Sequence, residues 1–282
     1  KMLAAQAAVA IENARLFEES ERLLAELEAA HRARNRLHAY VNHDLRNALH
    51  GVSLWAERLE QKASGPAESF EPEEVRDIAR KILRGGSHAL RLVRDVLDLA
   101  RLEEGRLQTW PRRVVIADLV EAAMDAIAPE ADRRGVELAF EAPRERVELV
   151  ADPDRVLQIT LNLLSNAVKF SPSGGTVSLG AETQNGKGTP LVRPEGGWVA
   201  IWVKDEGPGI AAEDLERAWG EFQQVNPEDR ERGAGIGLAL SRQMAEYMGG
   251  SLTVESEVGL GSRFTLWMPA GLERENRNGW IG

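Results

Sequence analysis

Residues 152–170 read DPDRVLQITLNLLSNAVKF. Asp152 is a favourable N-cap residue and Pro153 suits the first helical position, so a helix is predicted to open here and run to Phe170. Along it Asn162, Asn166 and Lys169 step by four and three and share one face, while Ile159, Leu163 and Leu164 supply apolar neighbours at its sides. Amide oxygens on one face with a lysine a turn later suit a hard cation bound to phosphate oxygens. A solvated polar stripe would show the same spacing, so the segments on either side must decide between the two.

Before this helix the pattern predicts a strand at 114–116, a helix at 117–134 and strands at 136–140 and 147–150. After it come strands at 176–181 and 198–204, separated by a long Gly-rich hairpin loop, then a short helix near 211–218 and a helix from about 235 to 248. Strands at 251–257 and 262–268 close the domain, and 271–282 form a polar tail. Helices and mostly antiparallel strands in this order predict an α+β sandwich. Two glycine clusters interrupt it. Asp205-Glu206-Gly207-Pro208-Gly209 follows a strand, and Gly233-Ala234-Gly235-Ile236-Gly237 opens a helix, where glycines let backbone N–H groups approach a phosphate at the positive end of the dipole.

The first hundred residues differ in kind. From Met2 to about Gln61 there is no proline and one glycine, Gly51, which predicts one long helix or two joined end to end. Leu16, Leu23, Ala30 and Leu37 fall at sevens, the spacing of a coiled-coil seam, and the stripe continues through Val41, Leu45, Ala48, Val52, Trp55 and Leu59. A breaker holding Gly65, Pro66 and Pro72 separates this from a second helix that opens near Glu73 and is expected to bury Val75, Ile78, Ile82, Leu92, Val96 and Leu99, with Gly85 and Gly86 as a weak point. The pair predicts an antiparallel hairpin that cannot cover both of its apolar sides alone, so a four-helix bundle formed by a homodimer is expected.

Composition narrows the function. The chain has 282 residues and no cysteine, which removes disulfide frameworks, thiolate zinc sites and catalytic thiols. The formal charge is -10, and residues 111–282 carry 27 acidic against 18 basic side chains, which argues against a nucleic-acid partner. No run is apolar enough for a membrane span and no secretory signal is visible, so a soluble, cytoplasmic fragment is expected, cut from a longer parent because it begins at Lys1.

All five histidines, His31, His38, His43, His50 and His88, lie in the hairpin. Their spacings do not give the i, i+4 pair of a helical metal site. His43 lies two residues from both Val41 and Leu45, about 200° around the helix, and so outside the stripe on the exposed side. A neutral imidazole is a good nucleophile near neutral pH, and Asp44 is placed to accept from its second nitrogen, fixing the tautomer.

These motifs together resemble a sensor histidine kinase of the two-component type, whose catalytic domain belongs to the ATPase superfamily shared with Hsp90, gyrase B and MutL. YVNHDLRNALHG resembles the H box, LNLLSNAVKFS the N box, VKDEGPGI the first glycine box, EFQQV the F box and GAGIGLALSRQMAEYMGG the second glycine box. The resemblance implies a signalling helix at 1–36, a dimerisation and histidine-phosphotransfer domain at 37–105, a catalytic ATP-binding domain at 106–270 and a tail at 271–282. It implies ATP and Mg²⁺ as ligands, with Asn166 on the metal, Lys169 on phosphate and Asp205 accepting from the adenine amino group. Gly207 and Gly209 would shape the adenine pocket, Phe222 and the segment to Arg232 a lid, and Gly233, Gly235 and Gly237 would lie at the phosphates. Asn162 stands where the superfamily's hydrolases carry a water-activating glutamate, so ATP would be held for another nucleophile.

That nucleophile would be His43, with the phosphoryl group passing on to an aspartate of a response-regulator receiver domain. Asn47 resembles the position that orients water for dephosphorylating the regulator, which leaves a predominantly phosphatase role as an alternative, with a non-catalytic nucleotide-sensing scaffold as a third reading. Ala48 replaces a proline common in the family, so no proline kink is expected below His43. LAAQAAVAIENARLFEE resembles the last helix of a GAF sensor domain like those of bacteriophytochromes, against the simpler reading of a signalling coiled coil.

Overall fold

In the computed structural model the described residues are 2–64, 71–143, 146–184, 197–219 and 237–270, with side chains of the first helix described at 13, 15–24, 41 and from 43 onward. The chain divides into two compact units, Lys1–Leu92 and Val93–Gly282. Among the described residues no helix is long and apolar enough to cross a membrane.

The first unit is built from α1 (Met2–Ala63), a single helix that runs without a break past Ala48, and the larger part of α2 (Pro72–Glu103). Three contacts fix their pairing. Lys62 forms an ion pair with Glu74, the Lys81 ammonium sits 4.1 Å from the Trp55 ring centroid, and a Cβ on Gly85 would fall 2.7 Å from Val52 Cγ2. Positions on α1 fall as those on α2 rise, so the helices are antiparallel. Gly85, expected to weaken α2, instead lies close against α1, and the absent side chain makes room for Val52. Ile78, Ala89 and Leu92 are buried, and Val41, Leu45, Ala48, Val52, Trp55 and Leu59 are half-covered as the stripe predicts. A second stripe on α2, Leu83, Leu90, Val93 and Leu97, stays exposed. The seam residues Leu16 and Leu23 are also exposed, whereas the Ala30 and Leu37 side chains, and most of those in the GAF-like run, lie outside the described residues.

The second unit holds a five-stranded sheet in the order β2 (Glu137–Glu141), β4 (Thr176–Gln184), β5 (Trp198–Lys204), β7 (Gly261–Pro269), β6 (Ser251–Glu257). Among the described strands only β2 and β4 pair in parallel. A separate antiparallel pair joins β1 (Arg112–Val115) to β3 (Glu148–Ala151). The core lies between the main sheet and α3 (Ile116–Arg134), α4 (Pro153–Phe170) and α6 (Gly237–Tyr247), where Val156, Leu164, Val168, Leu179, Ile201 and Leu266 are fully enclosed. A 3-10 turn (Ala212–Asp214) and the short α5 (Leu215–Ala218) follow β5. Asp152 caps α4 as its sequence predicts, with Oδ1 accepting from the backbone N–H groups of Asp154 at 3.0 Å and Arg155 at 3.3 Å. Such a cap contributes about 1 kcal/mol and fixes the axis along which the polar face points. The expected long hairpin loop and the tail fall outside the described residues.

Candidate functional site

The polar face of α4 meets the start of α6. Asn162 Nδ2 donates to Ser241 Oγ at 2.9 Å, and a Cβ on Gly237 would fall 2.3 Å from Asn162 Oδ1. Glycine at 237 therefore has a packing reason in addition to any phosphate approach. One turn further along α4, Asn166 is half-buried and its side chain makes no hydrogen bond among the described residues. Lys169 follows, its ammonium 4.5 Å from the Phe170 ring centroid, where the ring face attracts the cation.

The end of β5 supplies the second group. Asp205 is 6% exposed, and its Oδ1 accepts two backbone N–H groups, from Gly207 at 2.8 Å and Ser262 at 3.2 Å. Burial pushes this carboxyl above the usual carboxylate range, and the two backbone hydrogen bonds oppose that shift. Its Oδ2 makes no hydrogen bond among the described residues. Gly209 has φ +70°, and a Cβ there would fall 2.0 Å from the Glu257 carbonyl oxygen. Gly261 has φ +98° and would meet the Asp205 carbonyl oxygen at 2.0 Å. These two glycines press the β6–β7 turn against the first glycine cluster, aided by Gly259 N–H on the Pro208 carbonyl at 2.8 Å and Ile210 N–H on Ser256 Oγ at 2.7 Å.

Gly261 and Ser262, which hold Asp205, and Ser241, which holds Asn162, were not singled out in the sequence. The run VGLGS after a strand was the available signal for the first two. Phe222, Arg232, Gly233 and Gly235 lie outside the described residues.

The third group belongs to the first unit. His43 stands on α1 with its side chain 69% exposed, beside Asp44 at 13%. Its Nδ1 lies 3.4 Å from Asp44 Oδ1 and 3.3 Å from Asn47 Nδ2, while Asn47 Nδ2 is 3.5 Å from Nε2. Asp44 fits one tautomer, whereas Asn47 reaches both ring nitrogens and fits either. Donation from Nδ1–H to Asp44 leaves the Nε2 lone pair free, whereas donation from Asn47 to Nδ1 places the proton on Nε2. Asp44 also acts on His88 of α2, a half-buried ring whose pKa is lowered first by burial and then by Arg91, with the Asp44 charge pulling upward.

Residues 33–105 match the family model of the histidine kinase A phosphoacceptor domain, and residues 151–272 match that of the histidine kinase-, DNA gyrase B- and HSP90-like ATPase. The chain belongs to the sensor histidine kinase family. Among its relatives are the histidine protein kinase DivJ of Caulobacter vibrioides, 34% identical over 249 residues (88% of this chain, 39% of DivJ), and the circadian input-output histidine kinase CikA of Synechococcus elongatus, 34% identical over 262 residues (90% and 33%). The chain thus spans between about a third and two fifths of the length of these relatives. Full-length ShkA, solved in complex with AMPPNP, matches its fold with TM-score 0.58 at 31% identity, over 83% of this chain and 45% of that one.

Proposed function

We propose that this chain is the core of a protein-histidine kinase that phosphorylates His43 from ATP and passes the phosphoryl group to an aspartate of a response-regulator receiver domain. The carrying observation is His43 itself, an exposed imidazole whose Nδ1 faces a largely covered carboxylate, in a chain whose other unit is an ATPase fold with Asn162 where a hydrolase needs a general base. Nε2 attacks the γ-phosphorus in line, the bond to the bridging oxygen breaks and ADP leaves; the ring becomes cationic, and Asp44 stabilises that charge through Nδ1–H. Asp205 Oδ2 accepts the adenine amino group, Lys169 contacts phosphate, and Gly207 and Gly209 bring the backbone close to the base. Asn166 fits Mg²⁺, since a half-buried amide oxygen with no hydrogen bond among the described residues is a hard ligand of the kind that cation takes alongside phosphates and waters. When bound, the cation would neutralise phosphate charge. The AMPPNP in the related ShkA structure supports ATP as the nucleotide.

Incubation with γ-labelled ATP and Mg²⁺ is expected to give acid-labile, alkali-stable label on the chain. Acid-stable label, or none, would overturn the assignment. The Asn47 contact to the same ring favours a second activity, dephosphorylation of the regulator, which Asn47→Ala should abolish while sparing autophosphorylation.

The core acts as a homodimer in this reading, through the exposed stripe Leu83, Leu90, Val93 and Leu97, whose steps of seven, three and four residues form a helix-packing seam. Leu90→Asp, placing a charge mid-seam, is expected to shift the chain from dimer to monomer in light scattering.

A further inference from the structure

The stretch joining α2 to β1, DLARLEEGRLQTW (residues 98–110), reads in sequence as a helix end followed by a connecting loop. Within the second unit it is pinned at three points, and the pins fall on the two helices that carry the candidate nucleotide site. Asp98, 6% exposed, accepts on Oδ2 from Arg155 Nη1 at 2.7 Å and Gln158 Nε2 at 3.2 Å, both on α4. Arg155 Nη1 also donates to Gln158 Oε1 at 2.8 Å, so the three side chains close a triangle. The Leu107 carbonyl accepts from the Tyr247 hydroxyl at 2.8 Å, at the last residue of α6. Trp110 N–H donates to Asp152 Oδ2 at 2.9 Å, the same carboxylate that caps α4. Leu99 and Leu107 are buried between these ties.

We infer that residues 98–110 are a rigid strap, and that Asp98 is a positioning residue fixing the register of α2 on the nucleotide-binding helices. This rests on the kinase reading above and adds to it a fixed seating of residues 98–110 against the helices of the ATP site. A buried ion pair contributes little net stability over an apolar pair of the same shape, and its best-attested use is to select one register. Here the selected register has a direct line to the chemistry. Gln158, Asn162 and Asn166 follow one another at i, i+4 on α4, and Asn162 is tied to α6 through Ser241. Within the second unit, the end of α2 and the stretch that follows it are thereby tied directly to both nucleotide helices.

The test compares nucleotide affinity with phosphorylation rate in the whole chain. For Asp98→Asn, the Kd of a fluorescent ATP analogue is expected to stay within about threefold of wild type, while His43 labelling at saturating ATP slows by about tenfold or more. Arg155→Gln should behave alike, and the double variant should be no slower than the slower single one, because the pair acts as a unit. Tyr247→Phe removes one hydroxyl from a partly exposed ring and should show the same split to a lesser degree, so it carries the test if Asp98→Asn does not fold. A labelling rate within twofold of wild type in the folded variants would overturn the inference, as would affinity and rate falling together. An unlabelled wild-type chain would instead sink the kinase assignment itself.

Discussion

His43→Gln is expected to abolish autophosphorylation, lowering acid-labile label by more than about a thousandfold, while the Kd for an ATP analogue stays within about twofold of wild type. Glutamine keeps the length and polarity of the side chain, but its amide nitrogen has no lone pair free to attack phosphorus. No other histidine should substitute. His50 is exposed on the same helix, yet Asp44 and Asn47 flank the ring of His43, and His88 is half-buried with its pKa lowered. The unchanged Kd follows because residue 43 lies in a different compact unit from every group assigned to the nucleotide. Radiolabelling with a parallel binding titration checks both halves. Label retained in the variant would move the phosphoacceptor elsewhere.

Asp205→Asn is expected to weaken ATP binding by about a hundredfold or more without unfolding the domain. Two backbone N–H groups converge on one carboxylate oxygen, so the asparagine must place its own oxygen there and turn its NH₂ outward. The adenine amino group then meets a donor in place of an acceptor. Loss of a hydrogen bond to a charged group costs about 1.5–3 kcal/mol, and the opposed donors add to it. Stability should move the other way. A carboxyl whose folded pKa is raised binds its proton more tightly in the folded state, so it costs stability progressively as pH climbs from the ordinary carboxylate range through the raised value, and the whole cost is present at neutral pH. The nucleotide-free thermal midpoint of Asp205→Asn at pH 7 is therefore expected to equal or exceed that of wild type. For the unaltered chain, ATP affinity should begin to fall, as pH is lowered, at a higher pH than an ordinary aspartate would give. A binding curve flat down to pH 4 would contradict this role for Asp205.

Much of this was legible because local rules and tertiary needs agree. The ends of β5 and β6 fall where the apolar runs predicted, and Asp152-Pro153 announced α4 to the residue. The small β1–β3 sheet was not legible, since pairing between segments more than thirty residues apart leaves no mark in either strand alone. β4 runs three residues beyond its apolar core because its polar end, Glu182-Thr183-Gln184, is paired along β5. In the site, the groups that would touch the nucleotide carry the motif spacing, whereas Ser241, Gly261 and Ser262 act through backbone approach and single hydrogen bonds across the sheet, and the strap looked like a loop because its anchors lie on distant helices.

The hydrogen bonds at Asp205 also bear on which purine is admitted. With one carboxylate oxygen already holding two N–H groups, the other can present only an acceptor to the edge of the base. Adenine offers a donor at that edge and guanine a carbonyl, so GTP would bring two acceptors face to face in a buried site and leave both unsatisfied. In the kinase reading such selectivity would arise from two main-chain amides that hold the carboxylate and not the base, and it would tie phosphorylation of His43 to the adenylate pool.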